Sequence, residues 1–148
     1  MKKILTTILL FILCSKSAFA ENASSLGIGY QYGGAIGFKF DFKEAQNNYF
    51  ASLGLLGGAV GYQRFTASDN KQAFGIMAGA EVLASEKGFI ALTYNYYLQG
   101  FENEGWVVGA SIGLRRTDGD LLGISGIFGA RREVKTKTLI SVNAGYRF

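Results

Sequence analysis

The stretch SLGIGYQYGGAIGFKFDF, residues 25–42, decides how this chain is read. Its even positions are Leu26, Ile28, Tyr30, Tyr32, Gly34, Ile36, Phe38, Phe40 and Phe42; its odd positions include Gly27, Gly29, Gln31, Gly33, Ala35, Gly37, Lys39 and Asp41. A period of two is the signature of a β-strand with two unlike faces. The pair Gly33-Gly34 is the natural place for a turn. A two-residue hairpin, however, requires the apolar positions to change parity across it. They do not, and a turn there would carry Lys39 and Asp41 onto the apolar face. The spacing therefore predicts one long strand over 25–42. Splitting it would raise the strand count by one.

The same alternation runs through the rest of the chain. Phe74, Ile76, Ala78, Ala80 and Val82 oppose Gly75, Met77, Gly79 and Glu81. Ile90, Leu92, Tyr94, Tyr96 and Leu98 oppose Ala91, Thr93, Asn95 and Tyr97; Trp106, Val108, Ala110, Ile112 and Leu114 oppose Val107, Gly109, Ser111 and Arg115. At Gly57-Gly58 the parity does switch, from Tyr49, Leu53 and Leu55 to Val60 and Tyr62, and that pair reads as a turn. The pattern predicts eight strands, over about 25–42, 48–56, 59–66, 72–84, 88–99, 104–116, 120–131 and 136–148. An even count brings both ends of the chain to one rim.

Which face points outwards follows from the non-apolar one. A surface in water would be rich in Lys, Glu, Asp and Arg. Here that face is mainly Gly, Ala and Ser with scattered charges, which suits the narrow interior of an eight-stranded barrel that side chains just fill. The aliphatic and aromatic face then looks out, as contact with lipid requires. The predicted fold class is all-β, a transmembrane antiparallel up-and-down barrel of eight strands. On these strand directions Phe40, Phe42, Tyr49, Phe74 and Trp106 fall at one rim and Tyr146 and Phe148 at the other, as two aromatic girdles.

The first twenty residues differ in kind. MKKILTTILLFILCSKSAFA has two lysines, a short apolar run and small residues ending Ala18-Phe19-Ala20. That order reads as a secretory signal cleaved after Ala20, leaving 21–148 as a single barrel domain. Cys14, the only cysteine, lies within it. Leu13, just before Cys14, is too large for a lipid-attachment signal, and a barrel over 21–148 would carry no disulfide. Three of the fifteen basic residues (Lys2, Lys3, Lys16) and none of the eleven acidic ones lie there, so 21–148 carries twelve basic against eleven acidic side chains. The chain's basicity comes mostly from this leader, and a nucleic-acid partner is not expected.

The last six residues, NAGYRF, place Asn143 and Gly145 ahead of the alternating aromatics Tyr146 and Phe148. They resemble the C-terminal insertion signal of bacterial outer-membrane barrels, although Gly145 sits closer to Tyr146 than in the usual form. With the leader and the strand count, the whole chain resembles small eight-stranded outer-membrane barrels of the OmpX and OmpA membrane-domain type. The resemblance implies a monomer in the outer membrane, in contact with its lipids and lipopolysaccharide. It also implies that the barrel-assembly machinery reads the last strand. It implies nothing about activity, because a fold does not carry a function.

Little in the sequence points to catalysis. Histidine is absent, so Ser52, Ser111, Ser125 and Ser141 lack the usual base. Glu81 could replace it, but an interior ion pair is the better role for that carboxylate. No enzyme activity, cofactor or metal site is expected. On the predicted strand directions Glu81, Arg115 and Arg147 gather near the rim of the chain ends, and Lys39, Asp41 and Arg131 near the other. Two mixed-sign clusters would plug the lumen through charge-assisted hydrogen bonds. Arg132, Lys135 and Lys137 surround the last outward loop, a candidate contact for lipopolysaccharide phosphates. Short connections, near 43–47, 67–71, 100–103 and 132–135, leave little reach for adhesion.

The sequence thus points to a structural or envelope-integrity barrel with a plugged lumen. The alternative is a narrow channel or solute-binding lumen, for which the interior glycines would leave room beside Gln31, Gln63, Thr93, Asn95 and Tyr97. A lipid-modifying enzyme comes third.

Overall fold

A computed structural model describes residues 21–66, 68–81, 86–117 and 135–148, without the side chains of residues 86, 87 and 117. Eight antiparallel strands form a closed barrel in chain order: β1 (Glu21–Gly29), β2 (Gly34–Glu44), β3 (Asn47–Gly54), β4 (Gly57–Phe65), β5 (Gln72–Glu81), β6 (Glu86–Tyr97), β7 (Gly105–Thr117) and β8 (Lys135–Arg147). β8 closes the ring on β1 through Ser25↔Arg147 to Ile28↔Ala144. The fold is the all-β up-and-down barrel that the alternation predicts, with the predicted number of strands.

Two of those strands differ from the reading of the sequence. Residues 25–42 do not form one strand. The chain runs up β1, makes a 3-10 turn at Tyr30–Tyr32, and returns down β2. The parity argument fails for a specific reason. The β1–β2 register shifts by a bulge between Gly27 and Gly29, and that extra residue restores the parity that a plain hairpin would have switched. Ser25 and Lys39 therefore both face inwards although a turn separates them. Gly29, Gly33 and Gly34 adopt φ of 101°, 74° and 110°, which lets the chain bend sharply on both sides of Tyr-Gln-Tyr.

The expected strand over 120–131 lies outside the described residues. β7 pairs with β8 itself, from Gly105↔Arg147 to Thr117↔Lys135, and the ring of eight closes without a strand between them. The hairpin after β3 is centred on Leu55-Leu56 rather than on Gly57-Gly58, but its switch of parity is as expected: Leu53 pairs with Gly58.

The additional reversal at 30–33 turns over every strand from β2 to β7 relative to the chain ends. The rim that holds Glu21 and Phe148, called here the terminal rim, also carries the connections 45–46, 66–71 and 98–104. The far rim carries the turns 30–33 and 55–56, and β5 and β7 end there. Phe42, Tyr49, Phe74 and Trp106 consequently share the terminal rim with Tyr146 and Phe148 instead of opposing them. Trp106 pairs with Tyr146, their rings 5.6 Å apart, and Phe42 pairs with Tyr49, whose ring lies 5.3 Å from Tyr62. Phe74 and Tyr94 continue the belt at 4.7 Å. Among the described residues there is one aromatic girdle, at the terminal rim, where the sequence suggested two.

The division between faces is as predicted on the described strands except at the start of β2, where Gly34 is buried and Ala35 exposed. Outward positions are large and apolar yet open: Val142 is 78% exposed, Ile140 76% and Leu53 72%. Inward positions include Lys39, Asp41, Asn48, Gln63 and Asn95, each 1% exposed or less. This inverts the usual arrangement of a protein in water, where buried charges are rare.

Candidate functional site

The lumen is where the unusual chemistry lies, and it is filled from both ends. At the far rim the 3-10 turn folds into the barrel. Gln31 and Tyr32 are 0% and 1% exposed, so the turn acts as a plug rather than a surface loop. Its seat is made by glycines. A Cβ built on Gly27 would stand 2.6 Å from Cζ of Tyr32, one on Gly145 would meet its hydroxyl, and one on Gly37 its carbonyl oxygen. The interior glycines do not leave a passage. Of the remaining ones, Gly75 accommodates Gln63, Gly79 accommodates Phe89, and Gly109 accommodates Asn95 and Asn143.

Gln31 organises the polar layer beneath the plug. Its Nε2 donates to Oδ1 of Asn95 (3.0 Å) and of Asn143 (3.2 Å). Its Oε1 accepts from Nδ2 of Asn95 (2.8 Å) and Nε2 of Gln63 (3.3 Å). Gln63 also donates to Thr93 Oγ1 at 3.3 Å, and Asn143 Nδ2 donates to Asn95 Oδ1 at 3.1 Å. Four carboxamides from β4, β6, β8 and the turn thus bond to one another across the barrel. Neutral amides both donate and accept, so such a ring can satisfy itself out of reach of water.

A charged layer follows towards the terminal rim. Lys39 Nζ stands 3.2 Å from Asp41 Oδ1, and Asn48 Nδ2 donates to the same oxygen at 2.7 Å. Three rings surround the ammonium: Phe50 with its centroid at 5.2 Å, and Tyr32 and Tyr97 each at 5.8 Å. A cation that has given up hydration gains from aromatic faces as well as from its counter-ion.

The terminal rim is closed by the 98–104 connection. Phe101, fully buried, packs against Phe65 and Tyr97 at ring distances of 5.2 and 5.3 Å. The Arg147 guanidinium lies 4.2 Å from its centroid. Arg147 also bonds the Asn103 carbonyl (2.8 Å) and Glu21 (3.3 Å), while Lys43 approaches Glu102 at 3.4 Å and Glu21 at 3.7 Å. Phe101 and this ring of charges form a lid.

Neither a family model, nor a curated protein, nor a solved structure matches this chain. Its function has to be argued from the geometry alone.

The structure regroups the residues singled out in the sequence. Lys39 and Asp41 do pair, at the centre of the lumen and not near the far rim. Arg131 and Arg132 lie outside the described residues. The expected trio of Glu81, Arg115 and Arg147 is divided: Glu81 is buried at the far rim, where Arg115 donates to the Tyr30 hydroxyl at 2.9 Å, whereas Arg147 is at the terminal rim with Glu21. The added reversal of the chain separates them. Lys135 and Lys137 are exposed at the far rim. Asn143 and Gly145 have structural duties, in the amide ring and beneath Tyr32, while Tyr146 and Phe148 project outwards. Ala18 and Ala20 precede the described residues. The plug and the lid escaped the sequence reading. The one signal for the plug was three glycines within six positions around Tyr-Gln-Tyr.

Proposed function

We propose that this protein is an integral outer-membrane β-barrel with a closed lumen and a structural, non-enzymatic role in the cell envelope. The observation that carries the reading is the inversion of the two faces: aliphatic side chains open on the outside, ion pairs and amides sealed within. In water that exterior would be an apolar surface far larger than a soluble monomer tolerates. In lipid each of its side chains is solvated and the charges avoid hydrocarbon. The dimensions agree. Eight residue steps separate Trp106 from Leu114 on the outside of β7, about 26 Å along the strand and roughly 20 Å along the axis at a tilt near 40°. Side-chain reach brings this close to the ~25 Å apolar band of such barrels.

Residues 1–20 are the export signal in this proposal, cleaved after Ala20. The terminal rim with its aromatic girdle faces the periplasm, and Lys135 and Lys137 face outwards, towards lipopolysaccharide phosphates. The barrel-assembly machinery would read Tyr146 and Phe148, the two motif residues that internal packing leaves available. The partners are then the membrane lipids, with the barrel a monomer. A conducting or solute-binding lumen has less support, because Tyr32 and Phe101 occupy the space that such a function needs. The test is reconstitution into planar lipid bilayers: stable insertion without discrete conductance steps is expected. Failure to enter vesicles would overturn the membrane reading, and regular single-channel steps would overturn the closed lumen.

A further inference from the structure

Six buried polar atoms in the middle of the lumen have no hydrogen-bond partner among the described residues: Ser25 Oγ, Tyr32 Oη, Lys39 Nζ, Asp41 Oδ2, Asn48 Oδ1 and Tyr97 Oη. They are neighbours. Ser25 is the cross-strand partner of Lys39, Lys39 and Asn48 both approach Oδ1 of Asp41, and the rings of Tyr32 and Tyr97 flank the Lys39 ammonium. Lys39 Nζ keeps its 3.2 Å ion pair with Asp41, but leaving a buried polar atom unpaired costs about 1–3 kcal/mol, so the other five at one place would consume much of a domain's stability. The cluster is also enclosed, by the Tyr32 plug on one side and the Phe101 lid on the other.

We infer that this buried polar cluster is a binding site for a small group of internal water molecules that bridges the Lys39–Asp41 pair to Ser25, Asn48, Tyr32 and Tyr97. The chemistry of the groups selects water over an ion. Lysine offers only donors, the carboxylate and the amide oxygen offer only acceptors, and the hydroxyls can do either. An anion beside Lys39 would face the Asp41 carboxylate, and a cation beside Asp41 would face the ammonium. A neutral molecule that both donates and accepts meets every requirement. Buried waters make about three hydrogen bonds each, so six open positions correspond to about two waters. Lys39 and Asp41 then form a solvated pair inside a dry-walled barrel, and the waters hold Tyr32, and with it the plug, against the polar centre.

A high-resolution crystal structure of the purified chain, with a parallel bromide soak, tests this. The expected result is about two ordered waters within hydrogen-bond distance of at least four of the six atoms, and no anomalous bromide signal there. Magnetic relaxation dispersion should count the same long-lived waters in detergent solution. Tyr97→Phe, which removes one anchor and keeps the ring, should lower that count or shorten the residence time; Tyr32→Phe serves if the first variant does not fold. An anomalous peak beside Lys39 would overturn the proposal in favour of an anion site. Direct bonds from the tyrosine hydroxyls to Asp41, with no long-lived water, would overturn it altogether.

Discussion

The Lys39–Asp41 pair offers the sharpest test of how this barrel is held together. Both side chains are 1% exposed or less and their charged atoms are 3.2 Å apart. With an effective dielectric near 20, Coulomb's law gives about 5 kcal/mol of attraction. Desolvation cancels much of this, so the pair as a whole contributes little. Removing one partner is different, because the other charge stays buried without its counter-ion, at a cost of about 3–5 kcal/mol. Lys39→Met and Asp41→Leu should each destabilise the barrel by that amount, with Asp41→Leu also depriving Asn48 of its 2.7 Å acceptor. The double variant should recover most of the loss. Urea unfolding in lipid vesicles, followed by the fluorescence of Trp106, the only tryptophan, would measure this. At an m-value near 2 kcal/mol/M, each single variant shifts the midpoint down by about 2 M and the double variant by much less. Strictly additive costs would show that the two charges are not coupled, and the account of the lumen given above would fail.

Three further outcomes follow from the same geometry. Gly145→Val places a side chain where the Tyr32 hydroxyl now sits; it should expel the plug and produce conductance steps in planar bilayers that the parent lacks, and continued silence in a correctly inserted barrel would contradict the plug assignment. Val142→Arg, on the outer face near the middle of β8, should cost about 2–4 kcal/mol in lipid vesicles, the usual penalty at the bilayer midplane. An unchanged midpoint there would speak against lipid contact. Phe101→Ala should cost about 3–5 kcal/mol, as for other fully buried aromatics, and should expose the 98–104 connection to protease; resistance equal to the parent would mean that the lid does not depend on this ring.

Alternation by itself determined the class of fold and, except at Gly34 and Ala35 beside the hidden turn, the face on which the described strand residues lie. The reason is local: successive side chains on a strand point to opposite sides, so a two-residue period is written directly into the chain. Lys39, Asp41, Gln63, Asn95 and Asn143 could be assigned to the interior on that basis. The parity rule fails at 25–42 because a bulge adds one residue and hides a turn, and a bulge is set by how two strands pair. That single reversal moved Glu81 and Arg115 away from Arg147 and merged two expected girdles into one. What fills the lumen was likewise decided only by the tertiary structure. Tyr32 looks like one more outward aromatic until the turn rotates it inwards, onto Gly27 of β1, Gly37 of β2 and Gly145 of β8, the last of them far away in sequence. Phe101 looks like a loop residue until the closed ring gives it a mouth to cover. Period is a property of neighbours along the chain, whereas occupancy of a lumen is a property of eight strands closing around it.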